Sequence, residues 1–201
     1  ALEIFDATEP EAETLIDWAK SAEGAAMAVD GITNSEGAEA DWSQAEVALA
    51  ATNGFTGTYR GSSFSVSACV LAGEGTAMER DYDYATAVFM DDMEDPEEIG
   101  RRAGERTIRR LNPRKAESAK VPVVYEPRVS NSMVRHFAGA INGGSIARGI
   151  SFLKDRMGEK IFSDEISIID DPHRPRGLAS KPFDAEGLAN DPIAFIEDGV
   201  L

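Results

Sequence analysis

Residues 121–153 read VPVVYEPRVSNSMVRHFAGAINGGSIARGISFL. Val121, Val123, Val124 and Tyr125 form an apolar, β-rich run, which predicts a short strand. Pro127 suits a first helical position, where its missing N–H costs nothing. Val129, Met133, Phe137 and Ile141 then recur every four residues, the spacing of one buried helix face. Gly143 and Gly144 predict the helix end, because glycine accepts the left-handed backbone that closes a terminus. A strand, a helix, a glycine elbow and a second short helix therefore open a new unit near residue 121.

Immediately upstream, Asp95, Pro96 and Glu98 stand as N-cap, first helical residue and reciprocal capping partner. Ile99, Ala103, Ile108 and Leu111 supply that helix's apolar stripe, and Asn112–Pro113 stops it. Residues 114–120 are charged and read as a linker. From Ile32 to Met90 the period changes to two. Ala38, Ala40 and Trp42, then Val47, Leu49 and Ala51, then Phe64, Val66, Ala68 and Val70 alternate with polar residues, and Asp81 to Phe89 gives a last strand. Asn53–Gly54 is a hairpin signal and Gly73–Gly75 a further turn. The pattern predicts an antiparallel meander of four or five strands. It packs on a first helix that Thr8 and Glu11 start as a capping box and Asp30–Gly31 closes.

Downstream, Gly158 marks a turn, Ile166, Ile168 and Ile169 a strand, and residues 170–187 a Pro- and Gly-containing loop. The expected class is α+β: an antiparallel β-meander packed with helices over 1–115, followed by the start of a second, mixed, strand-rich domain over 121–201. The strand-like ends, LEIFD and IAFIEDGVL, predict a fragment of a longer protein.

The 201 residues hold 20 Lys and Arg against 36 Asp and Glu, a net charge of −16. Such a surface repels nucleic-acid phosphate and anionic headgroups, so neither nucleic acid nor membrane is an expected direct partner. No apolar run reaches the roughly 18 residues of a membrane span. A single cysteine, Cys69, permits no internal disulfide and fits a reducing cytoplasm. Its place in an apolar strand predicts a small buried hydrophobe.

Few residues promise chemistry. Asn34, Ser35 and Glu36 form a polar cluster at a strand start, either a local turn motif or a place for peptide recognition. Asn142, Gly143, Gly144 and Arg148 form the elbow, either a tight turn or a cleft lining able to meet a carboxylate. Glu79, Asp81 and Asp83 form an acidic group with Asp81 and Asp83 on one strand side, either a solvated sheet face or paired carboxylates for acid–base chemistry. The arginines between 101 and 114 are read as a solvated, salt-bridged helix flank. His136 is read as a structural histidine of intermediate burial, and His173 as part of a solvated loop. With two histidines and one cysteine, the chain is expected to hold neither a metal nor another cofactor.

GITNSEG at 31–37, MERDYDYATAVF at 78–89, DPEEIGRRAGERTIRRLNPRK at 95–115, SIARGISFLKD at 145–155 and IIDDPHRPRGLASKPFDAEG at 168–187 together resemble the TldD/PmbA proteins, on their PmbA/TldE side. The resemblance runs along nearly the whole chain. The family is known as metalloprotease subunits or modulators of DNA gyrase. In its catalytic TldD branch the helix matching 127–141 carries H-E-x-x-x-H. Here it reads SMVRHFAGAINGG, with His136 alone. The resemblance thus implies a non-catalytic cytoplasmic subunit, catalytic residues none, acting on unfolded peptides. Its partner would be a TldD-like catalytic subunit, which would carry the zinc, or a second copy as a homo-oligomer. The alternative is a non-proteolytic protein that modulates DNA gyrase or another client.

Overall fold

The computed structural model describes residues 2–201. The chain forms two units, Ala1–Lys115 with Asp171–Asp191, and Ala116–Asp170 with Pro192–Leu201. Residues 171–191, grouped with the second unit on sequence grounds, pack with the first.

The first unit is α+β. Helices α1 (Ala12–Met27) and α2 (Pro96–Arg110) cover one face of an antiparallel sheet. Its strands run in the order β1 (Ile32–Ala50), β2 (Thr56–Ala72), β3 (Glu79–Ala87). The meander has three strands rather than four or five. No glycine or proline interrupts residues 38–50, so the runs expected as separate strands join in β1. Asn53–Gly54 makes the hairpin turn as expected, with Gly54 at φ 92°. Along β2, Phe64, Val66, Ala68 and Val70 are buried against the helices, while Ser65, Ser67 and Cys69 face the other way. Cys69 is therefore half-buried on a polar face, not a core hydrophobe.

The helices meet through small residues. Ala22 and Ala26 of α1 and Gly100, Ala103 and Gly104 of α2 are all buried. A Cβ on Gly100 would lie 1.9 Å from the Ala22 backbone oxygen. At its start, α2 behaves as expected: the Asp95 carboxylate accepts the Glu97 N–H at 3.0 Å. Glu98, however, pairs with Arg101 instead of returning to the cap. Helix α1 starts at Ala12 without a side-chain cap. Thr8 does not cap it, because the helix begins four residues later with Glu11 at the N-cap position; the Thr8 N–H is held by Asp6 Oδ1 at 2.9 Å.

The acidic residues of β3 are not solvated. Asp81 and Asp83 are only 7% and 5% exposed. Arg102 Nε donates to Asp83 Oδ2 at 2.5 Å, Arg106 pairs with the other oxygen, and Arg110 lies 3.6 Å from Asp81. The basic flank of α2 faces the acidic face of β3, which offsets the burial of both.

The second unit contains α3 (Pro127–Ile141), α4 (Gly143–Ala147) and an antiparallel pair, β4 (Ile168–Asp170) with β5 (Ile193–Ile196). Phe137, Leu153 and Ile196 form its core. Val121–Tyr125 is not a strand: it lies in irregular chain, and Val124 is 94% exposed. Propensity alone does not make a strand without a hydrogen-bonded neighbour. Of the α3 stripe only Phe137 is buried, while Val129 and Met133 stand half-exposed. Gly143 and Gly144 do not close α3 in a left-handed conformation; they open α4, and the left-handed glycine comes later, at Gly149 (φ 69°). Among the described residues no helix is long and apolar enough to cross a membrane.

Candidate functional site

The start of β1 carries two register shifts against β2, between Ile32 and Asn34 and between Ser35 and Gly37. Each shift sets extra residues against the partner strand and re-aims their side chains. Gly37 takes φ 117°, a conformation that favours glycine. Ser35 thereby turns toward α1, donating to Glu23 Oε1 at 2.6 Å and accepting the Gly37 N–H at 2.9 Å. Asn34 Oδ1 accepts the Ser35 N–H at 2.9 Å. Glu36 turns instead over the helix-free face of the sheet. Its Oε2 accepts from Cys69 Sγ at 3.2 Å and from Arg80 Nη1 at 2.5 Å.

These contacts set the local charge. Burial, then the neighbouring Glu36 carboxylate, pushes the Cys69 thiol up to about 11. The Cys69 thiol and Arg80 in turn hold Glu36 below the usual carboxylate range. Cys69 is thus a protonated donor at neutral pH rather than a nucleophile. Alkylation of Cys69 by iodoacetamide is expected to rise about tenfold per pH unit until near pH 11. Glu36→Gln should speed it at pH 8 by on the order of tenfold. Rates that level off near pH 8.5 in the folded protein would contradict this geometry.

The face that Glu36 overlooks continues down the sheet. Glu39 and Asp41 stand exposed along β1, and Asp41 accepts a hydrogen bond from Ser65. Tyr82 and Tyr84 stand along β3, 46% and 48% exposed, with stacked rings 6.2 Å apart. Further along, Ser43 and Ser63 share a hydrogen bond of 3.0 Å and open into a cleft of about 300 Å³, roofed by residues 177–181. Two anchors hold that roof. Phe183 packs edge-on against Phe55 and Tyr59. Arg176 donates to Glu3 and to both oxygens of Asp92, and its guanidinium lies 4.2 Å from the Phe89 ring centroid. This surface can bind; it offers no paired nucleophile and base.

The elbow belongs to the second unit, so the two predicted groups lie in different units. Asn142 Oδ1 caps α4 through the Gly144 N–H at 3.0 Å, and the Asn142 carbonyl accepts from Ser145 and Ile146. Ser151 Oγ ties the following chain back to the Ala140 carbonyl at 2.6 Å. Arg148 is exposed. His136 is exposed on α3 rather than half-buried, with Ala140 one turn on. His173 is half-buried, its Nε2 3.0 Å from Asn190 Oδ1. Among the described residues no three His, Cys, Asp or Glu side chains converge. Sequence reading missed Arg80, Glu39 and the tyrosine pair as one surface. The signal was present in the alternation of Ser63, Ser65, Ser67 and Cys69 opposite the apolar side of β2.

Residues 5–111 match the PmbA/TldA metallopeptidase central domain, and residues 118–201 match its C-terminal domain. The chain is 37% identical over 201 residues to metalloprotease PmbA of Escherichia coli O157:H7, covering all of this chain and 45% of that protein. A crystal structure from Bacteroides thetaiotaomicron, described as a modulator of DNA gyrase, superposes with a TM-score of 0.94 at 29% identity, over 100% of this chain and 46% of that one. TldE from Thermococcus kodakarensis shares the fold, with a TM-score of 0.78 at 20% identity over 96% of this chain and 43% of that one. The chain spans about half the length of the curated relatives it matches.

Proposed function

This chain belongs to the PmbA/TldD metallopeptidase family, and from that premise we propose that it is the non-catalytic, PmbA/TldE-type part of a cytoplasmic complex that degrades unfolded peptides. One observation supports the reading: α3, which by the resemblance corresponds to the helix bearing H-E-x-x-x-H in the catalytic branch, has His136 followed by Ala140 and Ile141, with neither a second histidine nor a glutamate. In that motif the two histidines would bind the zinc, and the glutamate beside the first would act as general base toward its water. In this proposal zinc and its general base reside on a TldD-like catalytic subunit, and this protein encloses and presents the peptide. The net charge of −16 favours protein and peptide contacts over direct nucleic-acid binding.

Hydrolysis of an unstructured peptide by the full-length protein, alone and mixed with its TldD-like relative, tests the proposal. Turnover is expected only in the mixture, with co-purification of the two proteins. Turnover by this protein alone, abolished by a chelator, would overturn it. The alternative follows the gyrase-modulator description of the Bacteroides structure. Binding of gyrase without any peptide turnover in the mixture would favour it.

A further inference from the structure

We propose that the helix-free face of the β1–β2–β3 sheet is a docking groove for an extended, basic peptide segment. This goes beyond the subunit role, which specifies no chemistry for the peptide, and rests on that reading for the peptide as ligand. The register builds the groove. Glu39 stands opposite Ser67, which stands opposite Tyr84; Asp41 stands opposite Ser65; Cys69 stands opposite Tyr82. One wall is therefore carboxylate, the floor is small and polar, and the other wall is aromatic, with Arg80 beyond Tyr82 paired to Glu36. Neighbouring strands lie about 4.8 Å apart, so the walls stand roughly 10 Å apart, room for one extended chain. Ser65 and Ser67 leave depth that larger side chains would fill.

The chemistry selects the occupant. A Lys or Arg side chain entering from above meets Glu39 or Asp41 on one side and the ring of Tyr82 or Tyr84 on the other. It gains a charge contact and a cation–π contact together. In an extended chain alternate side chains point the same way, so cations at every second residue would all face the groove. An acidic segment would be repelled by these carboxylates and by the net charge of −16. An apolar segment would strand the carboxylates and serines without water. A second copy of this chain would bring the same negative charge against itself.

A fluorescein-labelled ten-residue peptide of alternating Lys and Thr, with its Glu–Thr counterpart, tests this by anisotropy on the full-length protein. The Lys–Thr peptide should bind and the Glu–Thr peptide should not. Glu39→Gln with Asp41→Asn should weaken binding at least tenfold. The matched pair Glu13→Gln with Asp17→Asn, exposed on α1, removes the same charge from the helical side and should change it less than twofold. Tyr84→Leu should weaken binding several-fold. All are surface positions, and an unchanged urea midpoint confirms that each variant is folded. Equal losses in both neutralised pairs would mean diffuse charge attraction and overturn the proposal. So would a dimer dispersed by Tyr84→Leu, which would give the face to a second copy. No arm depends on hydrolysis. Peptide turnover persisting in the two-protein mixture while these arms fail would remove this inference and leave the subunit role standing.

Discussion

Gly100→Ala is expected to destabilise the first unit by about 3 kcal/mol or more, a large effect for one methyl group. The added Cβ would lie 1.9 Å from the Ala22 oxygen, 2.7 Å from its carbonyl carbon and 3.0 Å from its Cα. All three obstacles are backbone, so no rotamer change relieves them and α1 must move away from α2. That movement opens the packing of Ala22, Ala26, Ile99 and Ala103 on Val66, Ala68 and Val70. Trp18 and Trp42 are the only tryptophans and both lie in the first unit, so their fluorescence in urea reports this unit alone. Ala22→Gly should not rescue the variant, because the clash is with main chain. Gly24→Ala supplies the opposite sign. Gly24 is an exposed α1 residue with nothing within 4 Å of an added Cβ, so alanine there should stabilise by about 0.5–1 kcal/mol through helix propensity. Equal midpoints for the Gly100 and Gly24 variants would refute the close crossing.

Asp83→Ala is expected to cost about 3–5 kcal/mol, the range for removing one partner of a buried charge pair. Asp83 is 5% exposed and receives Arg102 and Arg106, whose side chains are 28% and 19% exposed. Truncation leaves two guanidinium groups against a sheet face with less to neutralise them. Asp83→Asn keeps the shape and one acceptor and should cost less. The double variant with Arg106→Ala should cost less than the sum of the singles, since the two residues share one contact. Added salt should change the wild-type midpoint little, because shielded pairs are weakly screened. A loss under about 1 kcal/mol would place Asp83 with ordinary surface ion pairs.

What sequence could reveal differed from element to element for physical reasons. Asp95–Pro96 and Asn53–Gly54 were legible because their chemistry is local: a capping carboxylate, a fixed φ, a left-handed turn. The family resemblance was legible because five separated motifs matched in order, and the matches at 5–111 and 118–201 bear it out. Val121–Tyr125 misled because a strand is defined by its neighbour, which a one-dimensional pattern does not contain. Asp81 and Asp83 misled because their partners lie 19 to 29 residues away on α2. Gly100 and Gly104 mark where another backbone passes, which nothing in a one-dimensional pattern announces. At the candidate site, Glu36 was visible but its partners were not, since Cys69 and Arg80 reach it through the register of two other strands.

The division of the chain also has a consequence for how the protein is made. The first unit is discontinuous, because its segment 171–191 is encoded after most of the second. A ribosome adding about 5–20 residues per second therefore exposes α1, α2 and the sheet for some seconds before Arg176 can reach Glu3 and Asp92. During that interval Phe55 and Tyr59 lack Phe183, their aromatic cover. The nascent hairpin tip is then a natural place for a chaperone to act, and the emergence of Phe183 from the ribosome is what ends its exposure.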